Sequence, residues 1–331
     1  MVLDEPRIRL GTFPTAVERI DALSRAPTSL WVKRDDVTNA DYGGNKVRKL
    51  ERILADARSR GARRIVTIGA VGSHHVLATA IFARRLGIPV EAVLVPQPGT
   101  PHVIENVRAD LGLGVRVFPA SSFPLAALRL VERVARGAYY VPVGGSNLLG
   151  ALAYVDAARE LASQVHTGEL PEPDAVVVTL GSGGTAGGLA AGFALEGLRT
   201  RVVAVTVSDP ASGIARRGHA LAKAAARHEA TRLGRPVPRI RMEVDASYLG
   251  AGYGHPTEAG RHALAVAARA GLTLDLTYTA KTFAAALDRV DRGTERNLLF
   301  WHTLSRAPMD AWLAHAPLES DLSPSIRALF K

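Results

Sequence analysis

Cysteine is absent from the 331 residues. Disulfides, thiolate nucleophiles and cysteine-ligated metals are therefore excluded, and the absence accords with a reducing, cytoplasmic setting. Aromatic residues are scarce at 5%. Basic charge is in excess, with a net charge of +10, but it falls in scattered pairs such as Arg63-Arg64, Arg84-Arg85 and Arg216-Arg217. A nucleic-acid face would cluster that charge, so we read a solvated, arginine-rich surface and no nucleic-acid partner. Long apolar runs are lacking too. The one uncharged stretch of membrane-spanning length, 175–195, carries glycine, serine and threonine in its middle. It reads as a strand, a glycine loop and a helix start, so no membrane partner is expected. Residues 1–10 alternate charged and apolar side chains and lack the apolar centre of a signal peptide. There is no HExxH or HxxxH pattern, and the adjacent His74 and His75 would point about 100° apart on a helix; no metal site is expected.

What is present is a chain with 47% hydrophobic residues, long enough for a sizeable core and about two domains. Short β-branched runs alternate with helical patterns. Strands are expected at 64–68, 90–95, 115–118 and 139–143, with helices at about 73–86 and 101–111 between them. The rhythm returns with strands at 175–179, 202–207 and 297–301, and the arginine-rich stretch 216–241 reads as surface helix and loop. This is the pattern of open, mostly parallel sheets with helices on both faces, an α/β fold. Ligands of such sheets sit beyond the C-terminal strand ends. The glycine turns after Ile68 and Thr179 are the places to look.

Four constellations could carry chemistry. The first is Gly43-Gly44-Asn45-Lys46-Val47-Arg48-Lys49-Leu50. Its glycines allow a close backbone approach, and a buried lysine has a lowered pKa that suits it as a nucleophile and base. The same octet also reads as a plain turn into a basic helix. The second is Gly181-Ser182-Gly183-Gly184-Thr185, between a buried strand and a helix. Successive backbone N–H groups and a helix N-terminus there form an anion cradle. A P-loop is excluded, because no Gly-Lys-Ser/Thr follows. The degenerate dinucleotide fingerprint Gly181 to Ala186 leaves a nicotinamide-dependent oxidoreductase open, with Asp209 as a late candidate for the ribose acid. The third is Gly72-Ser73-His74-His75, where Ser73 is either an N-cap or an exposed functional hydroxyl. The fourth is the pair of tyrosine segments, Tyr248 to Gly254 and Tyr278-Thr279, able to serve as acid, base or aromatic wall.

Taken together, these pieces resemble the fold-type II pyridoxal-phosphate enzymes, a two-lobed fold like the tryptophan synthase β subunit. Within them the chain resembles the branch containing D-cysteine desulfhydrase and 1-aminocyclopropane-1-carboxylate deaminase. The resemblance runs from Arg7 through Pro14 and Thr15, the Lys33-Arg34-Asp35-Asp36 run and the Lys46 octet. It continues at Pro142-Val143-Gly144-Gly145-Ser146-Asn147, the Gly181 loop, Tyr278 and His302-Thr303. It implies a large cofactor domain from 1–48 and 150–331, a small domain from 49–149 and an active site in the cleft between them. It implies pyridoxal 5'-phosphate as cofactor and a homodimer. It makes Lys46 the cofactor-bearing lysine and Cα base, with Asn45 and Lys49 in the cofactor set. Gly181, Ser182, Gly183, Gly184 and Thr185 become the phosphate cup, Ser73 faces the substrate carboxylate, and Tyr253 and Tyr278 are active-site tyrosines. Thr279 takes the place of a glutamate facing the pyridine nitrogen in the deaminase branch, and Thr303 is a second threonine near the ring. Where the family reads Ser-Asn-His or Ser-Asn-Gln, His74 stands for the asparagine that contacts the ring hydroxyl. Where it reads His-Thr-Gly-Gly, this chain has His302-Thr303-Leu304-Ser305.

The implied activity is that of a lyase or deaminase on a small amino acid, in the first place β-elimination from D-cysteine. A hydroxyl at Thr279 weakens the electron sink and suits elimination over cyclopropane ring opening. The altered His74 and Leu304-Ser305 positions leave room for another amino-acid substrate or for a non-catalytic binding protein.

Overall fold

The alternation of β-branched and helical stretches produces two separate sheets in the computed structural model of the chain. Residues 6–330 are described; the first five residues and Lys331, on which part of the leader reading and of the domain boundaries falls, lie outside them. The strands are β1 (Val17–Arg19), β2 (Ser29–Lys33), β3 (Ile65–Ala70), β4 (Val90–Val95), β5 (Arg116–Pro119), β6 (Tyr139–Val141), β7 (Ala175–Leu180), β8 (Arg201–Thr206), β9 (Met242–Asp245) and β10 (Asn297–Trp301). The main helices are α1 (Asn45–Ser59), α2 (His74–Arg85), α3 (Pro101–Gly112), α4 (Phe123–Ala135), α5 (Leu148–His166), α6 (Gly184–Leu195), α7 (Ala211–Arg232), α8 (Glu258–Arg269) and α9 (Thr279–Arg292). Among the described residues no helix is long and apolar enough to cross a membrane.

One compact unit comprises residues 11–49 and 146–306. Its sheet has the order β1-β2-β10-β7-β8-β9, parallel throughout except for the antiparallel β1-β2 pair. Every residue of β7 is buried. Ala175 and Val177 face one apolar cluster with Phe283 and Phe300, while Val176, Val178 and Leu180 face another with Tyr154, Leu189 and Phe193. That two-sided burial is why the strand reads as an unbroken apolar run. On the second face α5 and α6 meet backbone to backbone. A Cβ added at Gly188 would collide with the Ala151 carbonyl, and one at Gly192 with Ala158 Cβ.

The other unit comprises residues 6–10, 50–145 and 307–330. Its all-parallel sheet has the order β5-β4-β3-β6, with Val66, Val93, Ala120, Ala126 and Ala138 in its core. The segment 307–330, which the expected boundary gave to the larger domain, belongs here. Gln97 N donates to the Leu329 carbonyl at 3.1 Å, and Arg108 Nε to the Pro317 carbonyl at 2.7 Å. Strand β3 also runs further than the glycine at its end suggested. Gly69 and Ala70 pair with Leu94 and Val95, so the turn begins after Ala70 rather than after Ile68. Val143, expected in a strand, opens a short 3-10 turn instead.

Beneath the start of α1, in the first unit, lies a buried ionic network. The Asp35 carboxylate accepts Arg48 Nη2 at 2.8 Å, Tyr154 Oη at 2.8 Å, Trp301 Nε1 at 2.8 Å and Thr15 Oγ1 at 3.1 Å. Arg48 Nη1 reaches Glu160 at 2.8 Å, and Glu160 accepts Lys33 Nζ at 2.6 Å. Two acids thus face two bases. Burial alone would push Asp35 up, but Arg48 and its hydrogen bonds outweigh it and hold the carboxyl below the usual range. Removing one partner of such a pair strands the other in low dielectric. Asp35→Ala is expected to lose about 3–5 kcal/mol of unfolding free energy, measured by denaturant titration; a loss below about 1 kcal/mol, the worth of a surface pair, would show that the network does not support the fold.

Candidate active site

Gly44 carries the chain into α1 with φ +85°, a conformation open to glycine. A Cβ there would lie 2.7 Å from the Thr303 carbonyl oxygen, the same oxygen that accepts Asn45 N at 3.1 Å. Thr303 is thus brought to the start of α1 through its backbone. Ser305, one of the departures from the family pattern, accepts here: Gly43 N donates to Ser305 Oγ at 2.9 Å. The substitution adds an anchor to the lysine-bearing loop.

Lys46 Nζ donates to Asn45 Oδ1 at 2.7 Å, and Asn45 Nδ2 donates to Thr185 Oγ1 at 3.0 Å. One buried asparagine therefore links the candidate amine to the candidate anion loop. Burial lowers the Lys46 ammonium to about 8, with the Asp275 carboxylate partly opposing the shift.

The anion loop follows β7. Gly183 takes the N-cap of α6 in the left-handed region, φ +96°, which directs the next amides toward the loop interior. Ser146 Oγ collects donors at this point. It accepts Gly184 N at 3.1 Å and Lys49 Nζ at 3.4 Å, and bonds Ser182 Oγ at 2.7 Å. Lys49 is buried, and burial first, then the neighbouring Lys46 and Arg217 cations, push its ammonium well down. Backbone amides, hydroxyls and converging cations make a donor set suited to a phosphate monoester.

The tyrosines come together. Tyr253 and Tyr278 are hydrogen-bonded hydroxyl to hydroxyl, with ring centroids 5.7 Å apart at 72°. The Tyr278 ring lies over the anion loop, since a Cβ at Gly181 would sit 3.7 Å from its Cε1. Burial raises both phenols, Tyr253 to about 12 and Tyr278 further, where Tyr253 and Asp275 add to the effect.

Thr279 is buried, and its hydroxyl is engaged. It donates to Asp275 Oδ1 at 2.6 Å and accepts Asp275 N at 2.8 Å. Asp275 also accepts the amides of Thr277, Tyr278 and Thr279 at 2.8–3.0 Å. This residue caps α9 and sits electrostatically against Lys46 and both tyrosines. Sequence reasoning missed it, although an aspartate shortly before a helical run is an N-terminal signal. Ser146 stands in the sequence within the run Pro142-Val143-Gly144-Gly145-Ser146-Asn147. Its signal was a serine directly after two glycines at a strand end.

Ser73 and His74 belong to the second unit. Ser73 caps α2, its Oγ accepting His75 N at 3.2 Å. The His74 ring stands 4.4 Å from that of His102 at 41°, with Asn106 Nδ2 between them. The acid required by the dinucleotide reading is engaged elsewhere, for Asp209 Oδ2 accepts Tyr253 N at 3.1 Å. Among the described residues no group of three or more metal-ligating side chains is assembled.

Comparison with known proteins adds an independent finding. A family described as pyridoxal-phosphate dependent enzyme matches residues 8–303. The chain is 39% identical over 311 residues to nocardicin C-9' epimerase of Nocardia uniformis subsp. tsuyamanensis, covering 90% of this chain and 92% of the relative. It is 37% identical over 313 residues to D-cysteine desulfhydrase of Yersinia pestis, covering 90% and 93%. A solved structure of an ACC deaminase homologue superposes with a TM-score of 0.78 at 30% identity, covering 94% of this chain and 96% of that one.

The Lys46 environment makes a pH prediction. Because its ammonium loses its proton at about 8, the neutral, reactive amine accumulates above that pH, below the range of about 10.4 for an ordinary lysine. Reductive trapping of a small aldehyde on the apo protein is expected to label Lys46 with a midpoint near pH 8, and Lys46→Arg to remove that low-pH labelling. A midpoint in the ordinary lysine range would show a solvated amine.

Proposed function

As the chain belongs to the pyridoxal-phosphate-dependent enzyme family, we propose that it holds pyridoxal 5'-phosphate between Lys46 and the Gly181–Thr185 loop and eliminates a β-substituent from a small amino acid, D-cysteine in the first place, giving sulfide and, once water hydrolyses the eliminated product, a 2-oxo acid and ammonia. The observation that carries the reading is the Lys46–Asn45–Thr185 link, with contacts of 2.7 and 3.0 Å. The donors gathered around Ser146 fit the phosphate, and the depressed Lys46 ammonium fits an amine that must react with an aldehyde. When bound, the cofactor supplies an electron sink for charge developing at Cα.

The side chains divide the remaining tasks. Lys46, neutral above about 8, is the base for the Cα proton. Tyr253 and Tyr278 stay protonated far above neutrality, so they give protons rather than take them, and Tyr278 is suited to protonate the leaving group. The Thr279 hydroxyl hydrogen is already engaged in a hydrogen bond to Asp275. Its free lone pair can only accept, a weaker partner for a ring nitrogen than a carboxylate. This favours elimination over cyclopropane ring opening, the reaction named for the ACC deaminase relatives. The resemblance assigns Ser73 to the substrate carboxylate and His74 to the ring hydroxyl, and the same reading carries a homodimer in the cytoplasm.

A second reading is epimerisation at Cα, favoured by the 39% identity to an epimerase. It needs one group to remove the proton and another to return it, and Lys46 with the tyrosine pair supplies two.

The purified protein is expected to show the absorption band of protein-bound pyridoxal phosphate, lost in Lys46→Ala; an unchanged band in that variant removes Lys46 from its role. Assays of D-cysteine, cysteate, D-serine and the cyclopropane amino acid, read as 2-oxo acid and as optical purity, separate the activities. Sulfide and 2-oxo acid from D-cysteine support elimination. Loss of optical purity without 2-oxo acid replaces it with epimerisation.

A further inference from the structure

The segment around Tyr253 lies outside helix and strand, and its own backbone bonds are few, among them Leu249 N to the Ala246 carbonyl at 3.2 Å and His255 N to the Gly252 carbonyl at 3.4 Å. It is a glycine-interrupted loop, with Gly250, Gly252 and Gly254 alternating with Ala251 and Tyr253, and it lies between β9 and α8. Its carbonyls need donors from outside. Lys281, in the first turn of α9, provides them. Its side chain is 0% exposed, and Nζ donates to the Leu249 carbonyl at 2.7 Å and to the Gly252 carbonyl at 3.1 Å. A buried ammonium is expensive unless hydrogen-bonded and near compensating charge. Here Asp209 and Asp275 supply that charge, and burial still leaves the ammonium lowered. Asp209 completes the clamp from the other side. Its Oδ2 accepts Tyr253 N at 3.1 Å, and a Cβ at Gly252 would come within 2.6 Å of the same oxygen.

The two tyrosines are therefore fixed by one helix turn. Asp275 holds the Tyr278 amide at 2.8 Å. Three residues further on, Lys281 holds the carbonyls on either side of Gly250 and Ala251, and with them the backbone that aims Tyr253.

We propose that Lys281 is the positioning residue that holds the Tyr253 loop against α9 and so sets the hydroxyl-to-hydroxyl contact between Tyr253 and Tyr278. Lysine suits the task because one ammonium has three protons to distribute over two carbonyls. A methionine of similar length would fill the volume but remove the ammonium donor from both carbonyls, leaving that of Gly252 to the longer His255 N contact at 3.4 Å. The proposal rests on the reading above only for its catalytic consequence; the placement of the loop stands apart from it.

The test is ultraviolet titration of tyrosine ionisation in the holoenzyme, with turnover of D-cysteine measured alongside. In the wild type burial pushes the Tyr253 phenol up to about 12, against the Tyr278 hydrogen bond, which lowers it, so the readout follows the loss of burial when the loop is freed. In Lys281→Met the freed loop is expected to let that midpoint fall toward the ordinary phenol value of about 10. In Tyr253→Phe the transition disappears, and adding Lys281→Met to that variant changes the titration no further. Lys281→Arg, which keeps the donors, is expected to restore most of the wild-type midpoint. If Lys281→Met does not fold, Lys281→Leu, which likewise carries no donor, is read the same way. An unchanged Tyr253 midpoint in the Met or Leu variant overturns the proposal. A shifted midpoint in Lys281→Met, together with full turnover in Tyr253→Phe, would keep the positioning role and remove the tyrosine from the chemistry.

Discussion

The start of α1 rests on the pairing of Asp35 with Arg48 beneath it, at 2.8 Å. Lys46 and Lys49 are three residues apart and share one side of the helix, while Arg48 points to another. The helix thus turns two amines toward the anion loop and a guanidinium into the protein. Three positive side chains in one turn would repel one another and lose hydration together. The cost is offset on the inner side, where Arg48 meets Asp35 and Glu160 and where Tyr154 and Trp301 complete the hydrogen bonding of Asp35. The pairing also joins distant parts of the sequence, since Asp35 follows β2, Glu160 lies on α5 and Trp301 ends β10. A buried ion pair seldom adds stability over apolar packing. Here it fixes which way a helix turn faces.

One physical cause explains the opposite shifts at the site. Burial penalises charge of either sign, so it lowers an ammonium and raises a phenol. Lys46 and the tyrosine pair are both driven toward their neutral forms. A neutral amine and a neutral phenol can then face one region at the same pH, one able to accept a proton and the other to give one. Asp275 moderates the first effect and strengthens the second, and it accepts the amides of Thr277, Tyr278 and Thr279 at the entry to α9.

Much of this was legible in the sequence, for local reasons. Strand β7 announces itself as an apolar run because both of its faces are covered. The anion loop is legible because glycine before a helix has a backbone meaning, and Lys46 because its motif is contiguous. What could not be read depends on contacts far apart in the chain. Ser146 meets Gly184 across 38 positions, and Lys281 meets Leu249 across 32. Neither residue type is unusual in its own surroundings. Thr279 shows a different limit: its identity was plain, but its engagement with Asp275 depends on the geometry of the helix start. The short strands β1 and β9, of three and four residues, are too brief for a periodic signal and are held by their neighbours in the sheet.

The contact between α5 and α6 bears on how this chain can vary. Gly188 and Gly192 lie one turn apart and touch the facing backbone with no space for even a methyl group. Alanine, the gentlest replacement in most helices, is here among the disruptive ones, whereas larger changes on the solvent side of the same unit meet no such barrier. Because α6 begins at the anion loop, any shift of its axis would move the amides of Gly184 and Thr185 as well. Change in the sequence is therefore channelled away from this face of the helix.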